Sequence, residues 1–198
     1  MPKILSKTEI KKIFSQTKNP KHLLMLQLCY SMGLRVSEVV GLKLSHFNND
    51  DMLVLIEDAK GKKDRYTNLH EAVLLLLRAY YKEYTPKEWL FEGQYGGQYS
   101  IRSVQTVFKN AMKKANINKT IGIHGLRHSY ATYLLEHGAD IRFIQKLLGY
   151  KKNENLPKYA RKTKKPLKIS GFCRGGRIRT YDLHIPNVAR YRATLHPD

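Results

Sequence analysis

The sequence predicts a mainly α-helical domain with one small antiparallel β-hairpin or sheet, and three observations carry that prediction. Apolar residues recur at three- and four-residue spacing through most of the chain up to Gly149, the period of a helix that buries one face. A single apolar, β-branched stretch, Met52 to Glu57, is followed across a turn containing Gly61 by a second, Arg65 to Leu69, which can pair with it. Helix start and stop residues punctuate the apolar windows.

In chain order, Ser6-Lys-Thr-Glu9 has capping-box spacing and opens a helix with Ile10, Ile13 and Phe14 on one face. Leu23 to Met32 is nearly all apolar and stops at Gly33, so it is a buried helix in which Cys29 is a packing residue. Arg35 follows, then a short helix Val36–Val40 ending at Gly41. Val73, Leu77, Tyr80 and Tyr84 define an amphipathic helix over 71–84, stopped near Pro86. Gln94 to Ser100, with three glycines, is a loop, and Ser100 is placed to cap a helix reaching about Asn116. Val104, Val107, Phe108 and Met112 are its inward face. Leu126, Tyr130, Tyr133 or Leu134, and His137 mark another helix, closed by Gly138. Asp140 caps the last one, carrying Ile141, Ile144 and Leu148.

With 198 residues, 42% hydrophobic and 26% charged, the chain suits one domain with a sizeable core. Its 36 Lys and Arg against 16 Asp and Glu give a net charge of +20. That surplus favours a polyanionic partner, because neutralised phosphates release condensed counterions. Charge alone does not separate nucleic acid from a membrane surface. No apolar run reaches the ~18 residues of a membrane span, and the start lacks the apolar region and cleavage site of a secretion signal. Cys29 and Cys173 sit in such different settings that they read as free thiols of a reducing compartment. A cytoplasmic protein is expected. After Gly149 the chain changes: residues 151–198 hold 13 Lys and Arg against three Asp and Glu, a surplus of ten. Apolar periodicity fades there, and a disordered basic tail is expected.

Four places stand out chemically. His124-Gly-Leu-Arg127 puts an imidazole and a guanidinium on one face at a helix start, where anions are favoured. A guanidinium matches two phosphate oxygens at once. Arg35 stands at the mouth of a buried helix, with Glu38 one turn on. The stretch Ala59-Lys-Gly-Lys-Lys-Asp64 crowds ammonium groups at a hairpin tip, and Tyr159 lies beyond the last helix. Taken separately, each has a structural reading: a capping His with a solvent Arg, an Arg35–Glu38 ion pair, solvated turn charge, and a surface tyrosine.

Their order is what changes the reading. Gly33-Leu-Arg-Val-Ser-Glu-Val-Val-Gly-Leu42, Lys60-Gly-Lys-Lys-Asp-Arg65 and His124-Gly-Leu-Arg-His-Ser-Tyr-Ala-Thr-Tyr-Leu-Leu-Glu-His-Gly-Ala-Asp140 resemble the catalytic domain of tyrosine recombinases, the phage-integrase family. Ile141 to Gly149 fits as well. The resemblance covers roughly residues 1–160 and implies that family's DNA breaking-and-rejoining fold over 1–160, with 161–198 as the basic tail. It implies that Arg35 and Arg127 clamp the scissile phosphate and that His124 hydrogen-bonds it. Lys60 would protonate the leaving 5′-oxygen, and Tyr159 would attack to form a 3′-phosphotyrosine. Glu38 would brace the site. Neither a metal nor a nucleotide cofactor is implied; the expected partner is double-stranded DNA, bound as a homo-oligomer (a tetramer in the family). Nucleoid association would follow from DNA binding.

Three departures from the family pattern accompany the match. The chain begins where the catalytic domain should begin, without the usual preceding helical DNA-binding domain. Leu147-Leu-Gly149 is followed by Tyr150, where the family carries His or Trp in the catalytic set. Tyr159 has the family's spacing from position 150, but Pro157 and Ala160-Arg-Lys-Thr replace the family's flanking residues. A shifted reading frame from about Ala160 would account for this, and the nucleotide sequence of the gene decides it. The expected function is site-specific recombination or integration of DNA. The alternatives are a catalytically defective DNA-binding remnant of an integrase, a topoisomerase of the same chemistry, and a basic nucleic-acid-binding protein with coincidental motifs.

Overall fold

The computed structural model describes residues 4–57 and 64–149. Helix α1 (Lys7–Gln16) opens on the predicted box: the Ser6 hydroxyl accepts the Glu9 amide at 3.2 Å, and the Glu9 carboxylate accepts the Ser6 amide at 2.7 Å. Ile10, Ile13 and Phe14 turn inward. Helix α2 (Pro20–Ser31) is capped by Asn19, whose side chain accepts the His22 amide at 3.0 Å. Every residue from Leu23 to Ser31 is buried, because α2 is the central rod against which α1, α4, α5 and α6 pack. A helix covered on all sides has no need of an amphipathic pattern. Cys29 sits in its middle at 1% exposure, and burial pushes its thiol up to about 12, so it is a packing group.

Helix α3 (Val36–Val40) follows the turn at Gly33, and a single 3-10 turn, Leu44–His46, leads into the sheet. The sheet has three antiparallel strands in the order β1 (Phe47–Asn48), β2 (Leu53–Ile56), β3 (Arg65–Asn68). The predicted β2–β3 pairing is present, with Val54 opposite Thr67 and Ile56 opposite Arg65. The sequence reading lacked β1, whose two residues are too few to display a period of two.

Helix α4 (Glu71–Tyr84) matches its predicted limits and ends at Thr85 in the left-handed region (φ 41°). Tyr80 stacks on Tyr84 with centroids 4.6 Å apart. Helix α5 (Ile101–Lys114) starts after Ser100, whose hydroxyl makes no capping bond, contrary to expectation. Val104, Phe108 and Met112 are buried and Val107 partly so. In α6 (His124–Glu136), Leu126, Tyr130, Tyr133 and Leu134 are buried. His137, which the sequence counts among the residues marking this helix, lies exposed at its C-cap, with its Nδ1 donating to the Tyr133 carbonyl at 2.8 Å. Asp140 caps α7 (Ile141–Leu148), accepting the Arg142 and Phe143 amides at 2.7 and 3.2 Å. Among the described residues no helix is long and apolar enough to cross a membrane. The expectations for Cys173, for the domain limit at 160 and for the basic tail fall outside the described residues.

Candidate active site

Gly33 brings the site together. Its φ of +61° is the left-handed conformation that glycine tolerates, and a Cβ there would lie 2.5 Å from Leu148 Cδ2 and 2.7 Å from Tyr130 Cδ1. Glycine therefore lets the α2–α3 turn press directly onto α6 and the end of α7. Two carbonyls exposed by that contact, Gly33 O and Leu148 O, both accept from Arg127: Nη1 donates to Gly33 at 2.6 Å and Nη2 to Leu148. Arg127 is only 3% exposed. The reading of it as a solvent arginine is thus wrong, because its donors satisfy two backbone carbonyls, in the α2–α3 turn and at the end of α7, that the apolar contact has cut off from water. The capping role for His124 fails too: Ile123 is the N-cap of α6, and no side chain caps the helix.

Glu38 is the hub. Its position three residues past Arg35 lets its Oε2 accept the Arg35 amide at 2.8 Å, the reach-back half of a capping box. Its Oε1 accepts from Arg35 Nη1 at 2.7 Å, which is the ion pair the sequence suggested. Arg65 then grips both oxygens, Nη1 to Oε1 at 2.8 Å and Nη2 to Oε2 at 2.9 Å. Arg127 Nη1 stands 3.7 Å from Oε2. Burial would raise the Glu38 pKa, but the Arg65 hydrogen bonds and charge, with the Arg35 amide and Arg127, hold it down at about 2. Among the described residues, three guanidiniums face one ionised carboxylate, an arrangement suited to an anion.

His124, first residue of α6, is open to solvent at the rim of this cluster. Lost hydration of its ring, then the Arg127 and Arg35 charges, lower its pKa, with Glu38 opposing. The shift favours the neutral imidazole over the imidazolium. One turn further on, His128 is lowered as well, by burial first and then by His124 and Arg127.

Arg35, His124 and Arg127, separated by as much as 92 positions, are thus brought to one place with Glu38. Lys60, Tyr150 and Tyr159 lie outside the described residues. The sequence reading missed Arg65 as a member of the site, although a signal was present. Strand alternation places Arg65, Thr67 and Leu69 on one face, and a charged residue in an inward register needs a buried partner.

Comparison with known proteins bears on the family and the fold. The model of the Phage integrase family matches residues 3–165. Tyrosine recombinase XerA of Pyrococcus horikoshii is 37% identical over 174 residues, covering 85% of this chain and 60% of its own. A crystal structure of XerA recombinase superposes with a TM-score of 0.69 at 28% identity, over 76% of this chain and 57% of that one. A lambda integrase tetramer bound to a Holliday junction shares the fold, with a TM-score of 0.64 at 20% identity over 77% of this chain and 48% of that one. The chain spans between 53% and 64% of the length of the first curated relatives it matches.

Proposed function

The chain belongs to the phage integrase family, and on that premise we propose that it is a site-specific recombinase, cutting and rejoining DNA strands through a 3′-phosphotyrosine. The observation that carries the reading is the convergence of Arg35 and Arg127 on one buried carboxylate beside His124, whose neutral form is favoured. Two fixed guanidiniums grip the non-bridging oxygens of a phosphodiester and neutralise the charge that grows on them as phosphorus becomes pentacoordinate. Because the protein has already oriented these groups, little reorganisation is needed when the charge develops.

In this reading the Tyr159 phenol oxygen forms a bond to phosphorus and the P–O5′ bond breaks. The phenol proton passes to a base, for which His124, its neutral form favoured, is the candidate. Lys60 supplies the proton that the departing 5′-oxygen needs. A 5′-hydroxyl from a second strand later reverses the step. The energy of the phosphodiester is kept in the tyrosyl ester. Tyr150, which follows Gly149 in the sequence, stands where the family carries His or Trp, and its phenol O–H is able to donate to a phosphate. Double-stranded DNA is the proposed substrate, consistent with the +20 net charge. A homo-oligomer on paired sites is the proposed assembly, by analogy with the lambda integrase tetramer on its Holliday junction.

The test is a set of duplexes drawn from the DNA flanking the gene, each nicked so that the cleaved end diffuses away and traps the covalent adduct. A protein–DNA adduct with the wild-type chain that is lost in Tyr159→Phe supports the reading. DNA binding without an adduct refutes it in favour of the DNA-binding remnant.

A further inference from the structure

The buried position of Arg65 has a consequence for how the arginine pair is charged. Glu38 carries one negative charge, and three guanidiniums compete for it. Arg65 takes the largest share: it is the cation that meets both carboxylate oxygens, and it does so in the planar fork geometry of the strongest carboxylate pairs. Arg35 receives one side-chain contact and Arg127 lies at 3.7 Å.

Two further contacts fix Arg65 in that role. The end of α7 is laid over it, since a Cβ built on Gly149 would be 3.5 Å from both Cδ and Nη1 of Arg65. The Gly149 carbonyl, in turn, accepts from Arg35 Nη2 at 3.2 Å. A further donor, Arg65 Nε, is buried without a hydrogen-bond partner among the described residues, so the side chain leaves that bond unmade while it holds the fork on Glu38. The strand position opposite Ile56 supplies the direction.

We infer that Arg65 is a positioning residue that occupies the Glu38 carboxylate and thereby keeps the charge of Arg35 and Arg127 available to the phosphate. Without Arg65, one carboxylate faces two guanidiniums instead of three, and the Arg35 amide alone is left to restrain it from closing on both. Their potential at the anion site then falls, although neither has been altered. This inference rests on the recombinase reading above and adds to it a residue that does not touch the substrate.

The experiment uses the full chain and the duplex that wild-type protein cleaves in the adduct assay. Single-turnover adduct formation at saturating protein is compared on two versions of that duplex. One carries the natural scissile phosphodiester, and the other a methylphosphonate at the same position, which has no negative charge to neutralise. For Arg65→Met the expected loss on the phosphodiester is roughly 10- to 100-fold, smaller than the full removal of a transition-state donor. On the methylphosphonate it shrinks to less than about threefold, because the transition state there develops less charge to stabilise. Arg65→Lys, which keeps the charge but not the fork, covers the case in which the Met variant fails to fold; its loss is intermediate and shows the same dependence on substrate. An equal loss on both duplexes overturns the inference, because a general disturbance of the fold would not distinguish the two linkages. Absence of any adduct with wild-type protein overturns the recombinase reading, and this inference with it.

Discussion

Glu9 and Glu38 are the same device used in two environments. Each stands at the third position of a helix, reaches back to the cap residue's amide, and takes a cation from far along the chain. Glu9 pairs with Lys119 at 2.7 Å, and Glu38 with Arg65 at 2.8 and 2.9 Å. The difference is water. The side chains of Glu9 and Lys119 are 22% and 44% exposed, those of Glu38 and Arg65 5% and 11%. At the surface a mobile ammonium is one of several adequate partners, water included. In the interior no water stands in for a missing partner, so the buried pair fixes the relative placement of α3, β3 and the end of α7.

The comparison is sharpened most by removing the buried charge. Glu38→Gln leaves three guanidiniums around a neutral amide and should cost about 3–5 kcal/mol, the range for a buried pair stripped of one partner. Urea unfolding at constant m-value measures it. A loss no larger than that of the surface pair breaks the comparison.

Acid provides the next test. The folded pKa of Glu38, about 2, lies below its ordinary value of 4.5. Its contribution is therefore complete above pH 4.5 and is lost as the pH falls from there towards about 2. The total is about 3 kcal/mol. Glu9 is lowered too: burial would raise it, but bonds from Lys119 and Ser6 outweigh that effect. Glu38→Gln should flatten the stability curve over this window, and Lys119→Met should barely change it.

Gly33→Ala perturbs the same cradle without touching a charge. A left-handed backbone and a Cβ inside contact distance of Leu148 and Tyr130 should together cost roughly 2–4 kcal/mol, read from the thermal midpoint. At the surface the effects are smaller. Ser6→Ala should cost about 1 kcal/mol through the lost cap. Lys119→Met should cost less than about 1 kcal/mol, and salt should reduce it further, whereas the Glu38 effect should be nearly insensitive to salt.

Much of the fold was legible because its signals are local. The Ser6–Glu9 box, the apolar run of α2, the 71–84 stripe of α4 and the Asp140 cap each depend on residues within one or two turns, and each falls where the sequence places it. Where the reading failed, the deciding partner was distant. His137 is counted with the residues that mark α6, yet the helix has ended by that point and the ring bonds back to Tyr133. Strand β1 exists only because β2 offers it a ladder. Arg127 has the composition of a solvent residue and is buried because Gly33 and Leu148 present it with carbonyls.

By itself, then, the sequence determined which groups are present and in what order: two arginines, a reaching-back glutamate and a histidine at a helix start, together with the lysine and tyrosines at 60, 150 and 159. It also determined the family, since motif identity and spacing are properties of the chain. The tertiary structure decided how the charges are shared. One carboxylate divided among Arg35, Arg65 and Arg127 is a contest settled by distance, burial and the fork geometry of a guanidinium. Those depend on where strand β3 and the end of α7 come to rest, which no local pattern encodes.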